Sequence, residues 1–170
     1  RREFLRNTTA ATACLGFATV AEPTFAQVIQ TNFDGIDAQE VSFSSKGFDV
    51  PAYVARPKKA PKNGLPVVFV VSEIFGVHEY IADVARRFAK MGYLAIAPEF
   101  FVRAGDPNTI GTMAEILKEI VGKTPDDQVM ADIQAGIDWA GKNGGDVKRV
   151  GITGFCWGGR ITWLACAQIP

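Results

Sequence analysis

The most distinctive pattern in the chain is a run with no polar residue. Val67-Val68-Phe69-Val70-Val71 is continuous, β-branched and aromatic, which suits a strand covered on both faces of a parallel sheet. Tyr93-Leu94-Ala95-Ile96-Ala97 reads the same way and is stopped by Pro98, and residues 149–153 form a third short strand. Between the first two, Ile81, Val84, Ala85, Phe88 and Ala89 recur at helical spacing. They predict a helix over about 78–91, ended by Gly92. Two more helical stretches follow at 110–121 and 127–142, the second with Val129, Ile133, Ile137 and Ala140 on one face. A turn at 143–146 precedes the third strand, and a last helix spans 158–167. Upstream the period changes to two: residues 40–43 and 48–55 alternate around Lys46-Gly47, which predicts an antiparallel hairpin. A Lys/Pro/Gly loop at 57–66 leads into the first buried strand.

Strand, helix, strand, helices, strand, helix is the order of an α/β fold with a mostly parallel sheet and flanking helices. Such sheets bind ligands beyond the carboxyl ends of their strands. The loops at 72–78, 98–108 and 154–158 therefore share one edge and are candidates for one site.

Composition narrows the function classes. The chain has 170 residues, 48% hydrophobic, with 18 Lys plus Arg against 18 Asp plus Glu. That is a globular profile, which excludes a disordered tail, a collagen-like repeat and a disulfide scaffold. The neutral balance gives no support for a nucleic-acid partner. The single histidine, His78, is the one imidazole the sequence offers to chemistry.

The first residues read as an export signal rather than as part of the fold. Arg1-Arg2-Glu3-Phe4-Leu5-Arg6 gives a charged start, residues 8–20 a mildly apolar middle, and Thr24-Phe25-Ala26 a small-residue end. The paired arginines followed by Phe-Leu resemble a twin-arginine signal, which implies a periplasmic protein. An N-terminal arm packed on the domain is the alternative, and the protein is then cytoplasmic. The apolar stretch falls short of the roughly 20 residues that span a bilayer, so no stable membrane anchor is expected. The expected organisation is a signal at 1–26, a linker or arm at 27–37, and a domain at 38–170. Cys14 leaves with the signal. Cys156 and Cys166, ten residues apart on one expected helix, would lie about 15 Å apart, beyond disulfide reach.

Gly154-Phe155-Cys156-Trp157-Gly158 has the spacing of a nucleophile elbow with cysteine as nucleophile. Glycines are needed two residues before and after because the strand-to-helix turn is too tight for side chains there. The nucleophile then sits at a helix N-terminus, where an anion is favoured. The alternative is a buried structural cysteine. The loop Ser72-Glu73-Ile74-Phe75-Gly76 follows the strand 67–71. In this architecture the backbone N–H groups of Ile74 and Trp157 would form an oxyanion hole. Glu73 would point toward Cys156, against a solvated loop carboxylate as the plainer reading.

These motifs carry a resemblance. Glu73-Ile74-Phe75-Gly76, the run from Gly92 to Glu99, and Gly154-Phe155-Cys156-Trp157-Gly158-Gly159 together resemble the dienelactone hydrolase family, an α/β-hydrolase branch, from about Val41 onward. The resemblance implies a cysteine nucleophile at Cys156 and a Glu73 that contacts the resting thiol and helps activate it when substrate enters. It also implies a small-molecule ester or lactone substrate, carboxymethylenebutenolidase-type hydrolysis through an acyl-enzyme, and no cofactor. The family's triad Asp and His follow the nucleophile, and neither residue type occurs in the fourteen positions after Cys156. The chain is therefore expected to be the N-terminal part of a larger hydrolase, with the edge of the strand 149–153 left exposed. A truncated, inactive relative or binding domain is the competing reading, and a redox-sensing thiol at Cys156 a third. His78 is read as a first-turn or pocket-lining residue that could bind substrate, with an acid–base role as the alternative. Arg103 and Arg160 could hold a substrate carboxylate or simply form ion pairs, and Trp157 and Phe101 could line the pocket or pack in the core. No metal spacing, phosphate loop or dinucleotide fingerprint occurs, and the sequence assigns no oligomeric partner.

Overall fold

The computed structural model describes residues 29–169. The export signal read at 1–26 lies outside the described residues. Five strands, β1 (Ile36–Ser45), β2 (Phe48–Pro57), β3 (Leu65–Val71), β4 (Leu94–Pro98) and β5 (Gly145–Gly154), form one sheet in the order β1-β2-β4-β3-β5. β1 and β2 are the hairpin, with Ser45 opposite Phe48 and the two-residue turn made by Lys46 (φ 49°) and Gly47 (φ 78°). Positive φ at both turn positions matches the strand twist. β2 runs antiparallel to β4, whereas β4, β3 and β5 are parallel. β1 starts at Ile36, inside the stretch read as an arm, because Ile36 is buried and pairs with Pro57.

The apolar runs are explained by helices on both faces. Val68, Val70, Ala95 and Ala97 face α1 (Glu79–Lys90), packing on Ile81, Ala85 and Ala89. Val67, Phe69, Leu94 and Ile96 face the other way, toward α2 (Asp126–Lys142) through Ala140. A third cluster joins Val71 to Val129 and Ile133 of α2 and to Ile161 and Ala165 of α3 (Trp157–Gln168). Each residue of β3 thus alternates between two buried layers.

Two expectations change. Residues 110–121 do not form one regular helix: Met113–Glu115 is α-helical, Ile116–Ile120 a π turn and Val121–Lys123 a 3-10 turn. Ile116 and Ile120 remain buried, the carbonyl of Ile120 accepts from the Thr124 hydroxyl at 2.9 Å, and Gly122 lies close to the Leu117 carbonyl. The short segment is held by burying two isoleucines rather than by helical propensity. β5 is also longer than 149–153. Gly145 and Asp146 pair with Leu65 and Pro66, and the register then jumps to Val67 opposite Val150. Pro66 lacks the N–H to continue the ladder, so an irregularity there is expected. β5 is an edge strand with Val147 and Val150 exposed, and Trp163 of α3 is 80% exposed.

A close approach in the second layer yields a stability prediction. An alanine at position 136 in α2 would put its Cβ 2.8 Å from the fully buried Phe69 ring. Better helix propensity is worth about 1 kcal/mol, but overpacking a fixed ring costs about 1–3 kcal/mol. Gly136→Ala should lower the midpoint of a thermal melt; an equal or higher midpoint contradicts this packing.

Candidate active site

The parallel register sets Val71, the last residue of β3, opposite Gly154, the last of β5. From there the chain turns sharply into α3. The Phe155 N–H donates to the Val71 carbonyl at 3.2 Å, and the Gly158 N–H donates to the Phe155 carbonyl at 2.8 Å. At the apex Cys156 has φ 53° and ψ −114°. Among the described residues only Lys46 and Cys156 have positive φ without being glycine. Such a backbone costs of the order of 1–3 kcal/mol and persists only where its surroundings enforce it. Here they do. A Cβ on Gly154 would lie 2.3 Å from the Gly158 carbonyl oxygen, and one on Gly158 would lie 2.4 Å from the Val71 oxygen and 2.6 Å from the Ser72 oxygen. Both contacts are with main chain, so no side chain can move to relieve them. The sequence reading of Gly154 and Gly158 as elbow glycines has this physical basis.

Cys156 is exposed and caps α3, with its carbonyl accepting from the Gly159 N–H at 3.0 Å. Trp157 is the first helical residue, so its amide has no acceptor within the helix. Its indole is buried against Phe100 and Phe101, with ring centroids 6.2 and 4.6 Å away. Cys156 and Cys166 are both free and exposed.

The loop after β3 is fixed at several points. The buried Ser72 hydroxyl donates to the Glu73 carbonyl at 3.1 Å, and Ile74 is buried. The Val77 N–H donates to a Glu99 carboxylate oxygen at 3.2 Å, while the Glu99 N–H donates to the Pro51 carbonyl at 2.9 Å. The Asn108 amide donates to the Phe75 carbonyl at 3.4 Å. Glu73 Oε2 lies 3.0 Å from His78 Nε2. Burial of Glu73 pushes its carboxyl up, but the hydrogen bond to His78, its own backbone N–H and the charge attraction to His78 outweigh this and lower it below the ordinary glutamate range. His78 caps α1, yet its ring serves Glu73 and makes no cap hydrogen bond.

Both arginines read as carboxylate binders are already engaged. Arg103 donates to the two oxygens of Asp132 at 2.7 and 3.0 Å and to the Ser45 carbonyl at 3.2 Å, and it stacks over Phe48. Asp132 is fully buried on the apolar face of α2, so releasing Arg103 would strand a buried charge. Of the two readings of Arg103, the structure shows the ion pair, which ties the β1–β2 hairpin to α2. Arg160 makes the same fork onto Asp126, at 2.8 and 2.6 Å, at an exposed position. Glu99 and Asp132 had no assigned role. An aspartate between Val129 and Ile133 on an apolar helical stripe was the available signal for Asp132.

A mixed sheet whose parallel strands β4, β3 and β5 carry a cysteine elbow at their carboxyl edge, with helices on both faces, defines the α/β-hydrolase class. The sequence model of the "Dienelactone hydrolase family" matches residues 50–170, and the chain belongs to that family. It is 54% identical over 155 residues to an Escherichia coli (strain K12) protein named "Putative carboxymethylenebutenolidase", covering 91% of this chain and 57% of that one. A Methylorubrum extorquens protein of the same name is 47% identical over 167 residues, covering 97% and 57%. The crystal structure of a "Putative Dienelactone Hydrolase" from Klebsiella pneumoniae superposes with TM-score 0.76 at 56% identity, over 78% of this chain and 55% of that one. The chain thus spans little more than half the length of these relatives.

Two outcomes follow from the geometry. Gly158→Ala should cost more than about 3 kcal/mol, seen as lost soluble yield or a collapsed melting transition; a near-normal melt contradicts the elbow contacts. Glu73, lowered in the folded state, contributes stability at pH above the ordinary glutamate range, and that contribution is lost as pH falls through the folded value. Glu73→Gln should therefore lower the melting midpoint at neutral pH and make its decline on acidification shallower. An unchanged acid slope contradicts the Glu73–His78 pairing.

Proposed function

We propose that this chain carries the nucleophile and oxyanion-stabilising part of a carboxylic ester or lactone hydrolase working through a cysteine acyl-enzyme. The observation that carries the reading is the exposed Cys156, held at positive φ at the start of α3. The Cys156 thiolate attacks the carbonyl carbon and forms a C–S bond. The carbonyl π electrons move to oxygen, and the backbone N–H groups of Ile74 and Trp157 receive that oxyanion. Collapse breaks the C–O bond and leaves a thioester, and the released oxygen takes a proton. In a lactone the leaving alcohol stays tethered and the ring opens. Water then cleaves the thioester and frees the acid. Glu73, next to the elbow, tunes the resting thiol. The family resemblance implies that an Asp and a His complete the site, and we assign them to sequence that follows residue 170 in the complete protein. The signal-like residues 1–26 support export to the periplasm.

A second reading is a relative that binds a small molecule but does not turn it over. One comparison separates the two. In the complete protein, Cys156→Ala should abolish turnover of an aryl ester or enol-lactone, by at least about a hundredfold, while Cys166→Ala retains it. No turnover in the unsubstituted complete protein favours the binding reading, and full turnover by Cys156→Ala overturns the cysteine mechanism.

A further inference from the structure

We propose that His78 is a positioning residue for Cys156, acting through the Glu73 carboxylate. The inference rests on the reading of Cys156 as nucleophile and Glu73 as its tuning neighbour. The Val71 and Ser72 carbonyls lie against residues 155 and 158, so Glu73, one residue further on, leaves the sheet beside the elbow. Its half-buried carboxylate needs a partner, and His78 supplies one at 3.0 Å. The partner is itself held in place. Gly76 turns the loop at φ 75°, and the Val77 N–H bond to Glu99 fixes the backbone just before His78. The His78 ring stacks on Tyr80 at 6.3 Å, and the Tyr80 ring meets Phe155 edge-on at 5.6 Å. Phe155 directly precedes the nucleophile. One chain of contacts thus runs from Glu73 through His78 and Tyr80 back to the elbow.

The chemistry of this arrangement is electrostatic. A bare carboxylate beside a thiol disfavours the thiolate, because two negative charges would then be close together. A carboxylate whose charge is shared with an imidazole disfavours it less. His78 therefore sets how much negative charge Cys156 meets, without touching the reacting atoms. The other charged groups near the pair are committed. Glu79, next along α1, is bound by Arg86, and Glu99 accepts from the Val77 N–H. Tyr80, whose ring lies against that of His78, is a further titratable neighbour among the described residues.

The test is the rate at which iodoacetamide alkylates Cys156 in the complete protein, resolved by peptide mass spectrometry, from about pH 5 to about pH 9. His78→Asn should slow alkylation near neutral pH by about threefold to tenfold and move the rate–pH profile to higher pH. His78→Gln retains a hydrogen-bond donor but carries no charge; it should shift the profile in the same direction and serves if the Asn variant folds poorly. Glu73→Gln should speed alkylation, and adding His78→Asn to it should change nothing further. An unshifted profile in both His78 variants overturns the proposal, as does an equal His78 effect with and without Glu73. If Glu73→Gln alone leaves the profile unchanged, the tuning role of Glu73 falls and the proposal with it. Failure of the nucleophile reading shows separately, as turnover that survives Cys156→Ala.

Discussion

The site depends on one contact between main chains: Gly158 at the start of α3 lies against the carbonyls of Val71 and Ser72 at the end of β3. A Cβ at Gly158 would come within 2.4 Å of the first oxygen, so the contact exists only because the residue has no side chain. The rest of the elbow follows from it. With α3 pressed this closely onto β3, the link from β5 must turn within Phe155 and Cys156, and Cys156 takes the positive φ that a short turn demands. That turn presents the thiol at the helix N-terminus and leaves the Trp157 amide without a helical acceptor. The parallel pairing of β3 with β5 and the burial of both faces of β3 hold the two sides of the contact together.

Charge in this neutral chain is mostly structural. Arg103 is paired with the fully buried Asp132, and Arg160 with Asp126 at the surface. On α1, Arg86 donates to the Tyr53 hydroxyl at 3.1 Å, tying the helix to β2. The ionisable pair near the elbow is Glu73 with His78, and there burial and pairing oppose each other, with pairing prevailing for Glu73. The single histidine is thus a neighbour of the candidate site, although it precedes Cys156 in the chain by almost eighty residues.

Much of this was legible in the residues. The buried runs at 67–71 and 93–97 declared a two-sided sheet because no polar residue interrupts them. The glycine spacing around Cys156 declared the elbow because only a backbone-on-backbone contact requires it. What was not legible has a common cause: it depends on residues far apart in sequence. The fork between Arg103 and Asp132 spans the β4–α2 connection, and no local pattern tells an arginine facing a pocket from one facing a buried carboxylate. The Glu73–His78 pair is close in sequence, but its geometry depends on Glu99 and Phe155, which the fold brings in from β4 and β5. The break-up of 110–121 into three helical types reflects burial of Ile116 and Ile120, which overrides a periodic pattern compatible with an ordinary helix.

The proposed mechanism requires Cys156, and not Cys166 on the same helix, to act as the nucleophile. The most direct measurement is peptide-resolved mass spectrometry after brief exposure of the protein to an activated aryl ester. The cysteine mechanism predicts an acyl group on the peptide containing Cys156 and none above background on that containing Cys166. Equal acylation of the two cysteines, or acylation of Cys166 alone, would contradict it.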